Sequence, residues 1–499
     1  MRERFTRSWI KAFSYLLAPA SRRFHTALAN PEQAQNQVQQ HLIQQLEACD
    51  YGRQFNIRSI ADWHKLPVVN YADLQPHIAA STQKASPLTP EPILFYEPTS
   101  GSSGPIKRIP YTRSLRRSFN HLFCVWAHDL ITHGPTFSKG KLYFSISPSF
   151  SDKGSEGTAD DADYLDPWLR WLLKPFLVVA PVSKSSEVFR ENLAKTLLQT
   201  EDLEIVSVWS PSFLTAQLNY IFANRERLAE NLSEERSRLL LQSKIPWAEL
   251  WPHLKLISCW DSMTAADGAD GLRQYFPDVL VQGKGLLATE APMTVPLMAA
   301  KGQVPLLDEI FFEFESLEGN IYRLHELSEG ETYEVIVSQK GGLYRYRMGD
   351  HIQVTHHYLQ TPCLKFVGRG KDISDLVGEK LHVQFVSNAI SQLNISEATF
   401  QCLLPIQEPI AHYALLLDFT EKSLQVIEQQ LEHELCKSYH YQLARQLGQL
   451  APVRAIASDT IVEQLSAIKA TDGQRWGDIK HVHLEIAVSD LQWLGNSKY

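Results

Sequence analysis

Between Pro31 and Cys49 the apolar residues Val38, Leu42, Ile43 and Leu46 fall at helical spacing among glutamines, which predicts an amphipathic helix. A second helix is predicted from Arg113 to about Ile131. "KLYFSIS", beginning at Lys141, reads as a strand, and the Ser-, Gly- and Asp-rich "PSFSDKGSEGTADDAD" after it as a surface loop. From Ser185 to Trp260 helical and strand patterns alternate, in "SEVFRENLAKTLL", "EIVSVW", "PSFLTAQLNYIF" and "LKLISCW", which predicts helices layered on a sheet. From "DEIFFEFES" onward, "IYRLHEL", "TYEVIVSQ", "LYRYRMGD" and "IQVTHHYL" predict an antiparallel meander joined by Gly, Asn and Asp turns. Past "FVGRGKDISD" two short strands, "QCLLPI" and "YALLLDF", precede a long polar helix, "SLQVIEQQLEHELCKSYHYQLARQL". The predicted fold class is α/β (mixed α+β). A domain boundary falls near Gly370, with a large multi-layered body before it and a smaller α/β domain after it.

Composition narrows the function classes. A chain of 499 residues is too long for one core. A net charge of −8 supplies no basic field, so nucleic acid is not an expected partner. Cys49, Cys124, Cys259, Cys363, Cys402 and Cys436 are scattered with no CxxC pair. That argues against a disulfide framework or zinc site and fits a reducing cytoplasm. No apolar run approaches the roughly 20 residues needed to cross a bilayer. The opening "MRERFTRSWIKAFSYLLAPASRR" is interrupted by Pro19 and reads as an amphipathic helix packed on the body, with Arg2, Arg4 and Arg7 solvated. A cytoplasmic monomer without stable membrane insertion is the expectation.

The densest candidate chemistry begins at Thr99, in "TSGSSGPIKRIP". A nucleotide-binding P-loop needs lysine directly after its second glycine and a helix opening there. Here Lys107 stands three residues beyond Gly104, and Pro110 would break a helix. A serine-hydrolase elbow is also excluded, because the sequence offers G-S-S-G where G-x-S-x-G is required. "VLVQGKGLLA" mimics a dinucleotide fingerprint through Gly283, Gly285 and Ala288, with Asp308 about twenty residues on, but Pro292 and Pro296 interrupt the necessary helix. The Thr99 loop is therefore a hydroxyl- and glycine-rich segment with one cation, which alone fits either an anion nest or a plain surface turn. His356, His357, His481 and His483 show no third ligand at metal spacing and read as strand or surface residues.

Other stretches decide between those readings. "TSGSSGPIK" resembles the phosphate loop of the acyl-adenylate-forming enzymes, and the chain is similar within them to the GH3 group, the auxin-responsive acyl acid amido synthetases. "LPVVNYADLQPHI" resembles that family's leader and "WPHLKLISCWDSM" its mid-domain strand. "ATEAP" resembles its short motif ending in glutamate, "GGLYRYRMGD" its third signature and "FVGRGKDISDLVGEKL" its hinge segment. The resemblance implies an adenylation domain over 1–369, a hinge at 370–374 and a mobile C-terminal domain over 375–499.

It also implies roles. Thr99, Ser100, Gly101, Ser102, Ser103, Gly104 and Lys107 would cradle the phosphates of ATP. Thr289 and Glu290 would lie at the α-phosphate, with Glu290 a ligand of Mg²⁺. Asp350 would accept the ribose hydroxyls and Arg369 would support the ribose and phosphate side. Lys380 would reach the reacting centre, and Lys480, in "GDIKHVHL", would serve one closed state. Trp209, Phe213 and Trp260 would line the acyl pocket. Leu286 stands where the family usually carries an aromatic residue, so adenine stacking is lost or supplied elsewhere.

The implied reaction is attack of a small carboxylic acid on the α-phosphorus of ATP, then transfer of the acyl group to an amine, an amino acid being the expected acceptor. An acyl-CoA ligase is one rival, although the C-terminal region lacks the glycine–lysine signature those ligases commonly carry. A non-catalytic nucleotide or acyl-ligand sensor is the other, and the presence of Lys107, Glu290, Asp350 and Lys380 argues against it.

Overall fold

The computed structural model describes residues 2–81, 87–98, 107–144, 167–181, 186–263, 265–316, 318–369, 373–374, 379, 381–406, 411–446, 450–465 and 484. The contacts divide the described residues into two compact units, a larger one within 1–99 and 106–367 and a smaller one within 368–499. The surface loop expected at 148–163 lies outside the described residues.

Two sheets organise the larger unit. The first is parallel and five-stranded, in the order Leu177–Val178, Lys141–Phe144, Leu203–Ser207, Leu256–Cys259, Leu280–Gly283. Alternation along its strands explains why helices cover both faces. Tyr143, Val206 and Ile257 point into one core, which includes residues of the helices Ser186–Gln199, Pro211–Ala223 and Ala265–Tyr275. Their neighbours Leu142, Ile205 and Leu256 face the helices Arg2–Ala29 and Arg113–His133. Numbered along the chain, this strand order is a doubly wound one whose direction reverses between Lys141–Phe144 and Leu203–Ser207. Ligands of such sheets bind outside the carboxyl ends of the strands at that switch point.

The second sheet is the expected meander, antiparallel, in the order Ile321–Arg323, Phe311–Glu315, Thr332–Gln339, Leu343–Tyr358, Thr361–Arg369. One detail differs from the sequence reading. "LYRYRMGD" and "IQVTHHYL" form a single 16-residue strand, because Gly349 makes a bulge where a turn is expected. The sheet packs on the predicted helix Pro31–Ala48. Gln35 ties the two together, its Nε2 donating to the carbonyls of Leu307 and Ile310 at 2.7 Å and its Oε1 accepting from Phe312 N at 2.8 Å. The first helix runs through Pro19 unbroken and buries Phe13, Leu17, Phe24 and Leu28.

The smaller unit carries the strands Gln401–Ile406, His412–Leu417 and Arg454–Ala457, the first pair antiparallel and the second parallel. The long helix expected after them is two, Leu424–Leu435 and Tyr439–Gln446, broken at 436–438. All six cysteines are free thiols, and five are buried. No helix among the described residues is long and apolar enough to cross a membrane.

Candidate active site

The strands Phe95–Pro98 and Arg108–Tyr111 pair antiparallel from Phe95↔Tyr111 to Pro98↔Arg108, so they bracket the Ser/Gly-rich segment. Thr99, Ser100, Gly101, Ser102, Ser103 and Gly104 lie outside the described residues. Lys107 is described and half-buried. Its ammonium donates to Tyr346 Oη at 3.3 Å and stands 5.8 Å from the centroid of the Tyr71 ring and 6.0 Å from that of Tyr346. The negative faces of the two phenol rings attract the cation, and among the described residues no carboxylate forms an ion pair with it. Tyr71 Oη also accepts from Arg108 N at 2.8 Å, which fixes the backbone beside the lysine.

Tyr111, fully buried, carries this hairpin to the next motif: its Oη donates to the Thr289 carbonyl at 2.7 Å. Thr289 and Glu290 are the two turn residues between the short strands Leu287–Ala288 and Ala291–Pro292, and both are half-buried. The Glu290 carbonyl accepts from Gln339 Nε2 at 3.2 Å. Gln339 closes the strand Thr332–Gln339, and its Oε1 accepts from Gly341 N in the turn leading into "LYRYRMGD". Three stretches far apart in sequence thus share one hydrogen-bonded frame.

Asp350 sits in the same long strand as Tyr346 and is 2% exposed. Between the pairs Ile336↔Arg347 and Glu334↔His351 only Val335 faces Met348, Gly349 and Asp350, so the strand bulges there. Gly349 has φ +75°, a left-handed backbone that glycine adopts without steric cost. A second irregularity holds Arg345 at φ +47°. Its guanidinium donates to Glu313 Oε2 at 3.0 Å and to the Leu66 carbonyl at 2.7 Å, while Trp63 Nε1 donates to the same Glu313 oxygen at 3.1 Å. Bulges of this kind re-aim side chains beside functional sites.

The remaining expected residues divide. Arg369 ends the strand Thr361–Arg369. Lys380 and Lys480 lie outside the described residues. Glu379, the chain neighbour of Lys380, is fully buried and accepts from Tyr413 Oη, whose oxygen also shares a hydrogen bond with the Ser374 hydroxyl at 3.0 Å. Leu286 is 7% exposed and its N–H donates to Thr294 Oγ1 at 2.7 Å. At the carboxyl ends of the parallel strands the rings of Trp209 and Trp260 lie 5.6 Å apart, and both are half-buried. Phe213 packs against the helical core beside them.

Sequence reasoning missed the residues that join these motifs: Tyr71, Tyr111, Gln339 and Tyr346. Tyr71 and Tyr346 lie inside stretches already quoted, so proximity to a signature was the available signal. Nothing in the sequence marks Gln339, whose role comes from pairing across the sheet.

Among the described residues one group has metal-ligand spacing, His121, Asp308 and Glu309, with candidate atoms within 4.8 Å of one another. Arg23 already pairs with Asp308 at 3.1 Å and Glu309 at 2.5 Å, and Lys340 with Glu309 at 2.5 Å. Burial works to raise both carboxyls. His121 and Arg23 outweigh it at Asp308, and Lys340 and His121 at Glu309, so each lies below its ordinary value. The group is a buried ion-pair network tying the first helix to the 339–342 turn. His356 Nε2 donates to the Ala300 carbonyl at 2.9 Å and His357 pairs with Glu329 at 2.8 Å, as expected of strand and surface histidines.

With this geometry in place, known proteins supply the context. Residues 20–246 match the GH3 family N-terminal domain and residues 303–369 the GH3 family central domain. The chain is 23% identical over 428 residues to indole-3-acetic acid-amido synthetase GH3.2 of Arabidopsis thaliana, covering 70% of this chain and 76% of that one. It is 22% identical over 479 residues to jasmonoyl–L-amino acid synthetase JAR4 of Nicotiana attenuata, covering 81% and 82%. Its fold matches the structure of AtGH3.15 acyl acid amido synthetase in complex with 2,4-DB, with TM-score 0.80 at 19% identity, over 97% of this chain and 95% of that chain. The chain belongs to the GH3 family of AMP-forming acid–amine ligases.

Proposed function

We propose that the protein binds ATP and Mg²⁺ in the frame around Lys107, Glu290 and Asp350, activates a small carboxylic acid as its adenylate, and transfers the acyl group to the amine of an amino acid. The observation that carries this reading is the hydrogen-bonded frame itself: Lys107 on Tyr346, Tyr111 on the Thr289 carbonyl and Gln339 on the Glu290 carbonyl.

A carboxylate is a poor electrophile, and adenylation gives it a stable leaving group. Charge grows on the phosphoryl oxygens during that step, so the protein's work is positioning and neutralisation. Lys107 supplies a cation at the end of the Thr99–Gly104 segment, whose hydroxyls and amides would cradle the phosphates. Glu290, half-exposed at a hairpin tip whose Thr289 and Glu290 carbonyls accept from Tyr111 and Gln339, presents the hard oxygen donor that Mg²⁺ favours. When bound, Mg²⁺ would lower the charge that the attacking carboxylate meets. The Asp350 carboxylate is an acceptor-only group suited to a vicinal diol, the ribose of ATP. Arg369 would support that side, Lys380 would reach the reacting centre, and Lys480 would serve one closed state of a C-terminal domain turning on a hinge at 370–374.

The test is acid-dependent exchange of pyrophosphate into ATP across a panel of carboxylic acids, with product analysis on the best acid. AMP, pyrophosphate and an amide with an added amino acid are expected. ADP as product, or no exchange with any acid, would overturn the reading, and thioester formation with CoA in place of an amide would reassign the second step.

A further inference from the structure

The first helix, Arg2–Ala29, is apolar on two sides. One side carries Phe13, Leu17, Phe24 and Leu28 into the body. On the opposite side Phe5, Ala12, Leu16 and Pro19 recur at intervals of seven, four and three residues, with Tyr15 beside them, so they form one stripe. All five are exposed, Phe5 and Tyr15 at 70% and Leu16 at 54%. Arg4, Lys11 and Arg22, also exposed, line one edge of that stripe. From Arg4 to its end the helix holds no Asp or Glu, although the whole chain carries a net charge of −8. Among the described residues no carboxylate pairs with Arg4, Lys11 or Arg22, whereas Arg23 is engaged by Asp308 and Glu309. A second helix extends the surface. Pro167–Leu173 buries Leu169 and Leu173 in the same cluster as Phe13 and Leu17. It leaves Trp171 73% exposed, with Trp168 and Lys174 three residues to either side, both exposed.

We propose that this face docks the protein on the surface of an anionic lipid bilayer, with the first helix lying along the headgroups. Such a surface is matched on two counts. Phenyl and indole rings settle at the headgroup level, and basic side chains beside them attract acidic lipids. The absence of acidic residues along the outer side of the helix means that nothing on it repels those lipids. A second copy of the chain fits less well, because a two-fold contact would set the cationic stripe against itself. The core already uses the other side of the helix, so docking requires no unfolding. The stripe is narrow and no helix among the described residues is long and apolar enough to cross a membrane, so the attachment is peripheral and reversible.

The test is co-sedimentation of the full chain with vesicles of phosphatidylcholine, either pure or with about one third phosphatidylserine. Binding is expected to the mixed vesicles alone, and raising the salt to about 0.5 M should release most of it. Each neutralised cation should weaken binding about fivefold, so the triple variant Arg4→Gln, Lys11→Gln, Arg22→Gln should lose about 100-fold. Phe5→Ser with Leu16→Ser should lose about 10-fold through the apolar contacts. The substituted side chains are all exposed, so both variants should keep the wild-type Tm, which separates lost docking from lost folding. Failure to bind the mixed vesicles overturns the proposal, as does equal binding to pure phosphatidylcholine or wild-type binding by the triple variant. Sedimentation equilibrium covers the other occupant: a dimer that the Phe5 and Leu16 substitutions dissolve would assign the stripe to self-association and overturn the lipid reading. None of these measurements depends on turnover, so the outcome stands apart from that of the ligase reading.

Discussion

The two sheets of the larger unit place functional side chains by different means. In the parallel sheet the candidate residues Trp209 and Trp260 come just after strands, and strand order brings them together. In the antiparallel sheet Tyr346 and Asp350 sit within a strand, and backbone irregularities at Arg345 and Gly349 aim them. Placement by strand order is shared among many packing contacts and tolerates small local changes. Placement by a bulge depends on one or two φ angles, so single substitutions should reach the site more directly there.

The largest effect that separates the two regions should come from Arg345. It holds a left-handed φ and a buried ion pair with Glu313, both side chains being less than a tenth exposed. Arg345→Met leaves the Glu313 carboxylate buried with Trp63 alone, at a cost of about 3–5 kcal/mol. Calorimetry should show a fall in Tm far larger than for Ile257→Val in the parallel sheet, where removing one fully buried methyl group costs about 0.5–1.5 kcal/mol. Equal shifts would show that the bulged strand is no more fragile than the regular one.

Asp350→Ala comes next and is read in binding. Losing hydrogen bonds to a charged group should raise the KM for ATP by about 10- to 100-fold and leave the KM for the acid within about twofold. Equal losses for both ligands would contradict a ribose role.

Much of this division was legible in the sequence, and for physical reasons. Alternating apolar residues in "EIVSVW" and "TYEVIVSQ" specify strands, and the helical spacing between them separates the layered sheet from the meander. Candidate residues were legible where a motif's composition is unusual, as at Lys107, Glu290 and Asp350. What stayed hidden depends on register. Gly349 reads as a turn residue until its strand is paired, and only then does Val335 facing three residues reveal a bulge. Gln339 and Tyr111 act through single hydrogen bonds to backbone carbonyls about fifty and 180 residues away, and no local pattern encodes such pairs.

Two glycines sharpen the comparison at a smaller scale. At Gly349 a Cβ meets nothing within 4 Å, so Gly349→Ala pays only for its positive φ, about 1–2 kcal/mol. Gly349→Asn should cost less, because asparagine tolerates that backbone better. At Gly283 the constraint is space: a Cβ would lie 2.0 Å from Asp261 Oδ1. Gly283→Ala should therefore be relieved by Asp261→Ala in a double-mutant cycle, whereas Gly349→Ala should show no coupling to Asp261. Coupling at both positions would mean that the two sheets share strain and are not independent.

The smallest effect follows from Asp261, at the carboxyl end of the parallel sheet. Burial raises its carboxyl above the ordinary value, against the opposing pull of Arg273 and a hydrogen bond from Ser262. A carboxyl whose folded value lies above its unfolded one stabilises the fold most at low pH, where both forms are protonated, and loses that contribution as pH rises through the folded value. At neutral pH the ionised Asp261 is then a mild liability that a neutral amide of the same shape removes. Asp261→Asn should raise Tm by about 1–2 °C at pH 7, with the advantage shrinking as pH falls into the acid range. A gain that grows on acidification would reverse the sign and show that the ion pair with Arg273, 4.0 Å away and partly exposed, outweighs desolvation. Strand order would then hold this end of the sheet with help from charge, as Glu313 and Arg345 hold the bulged strand.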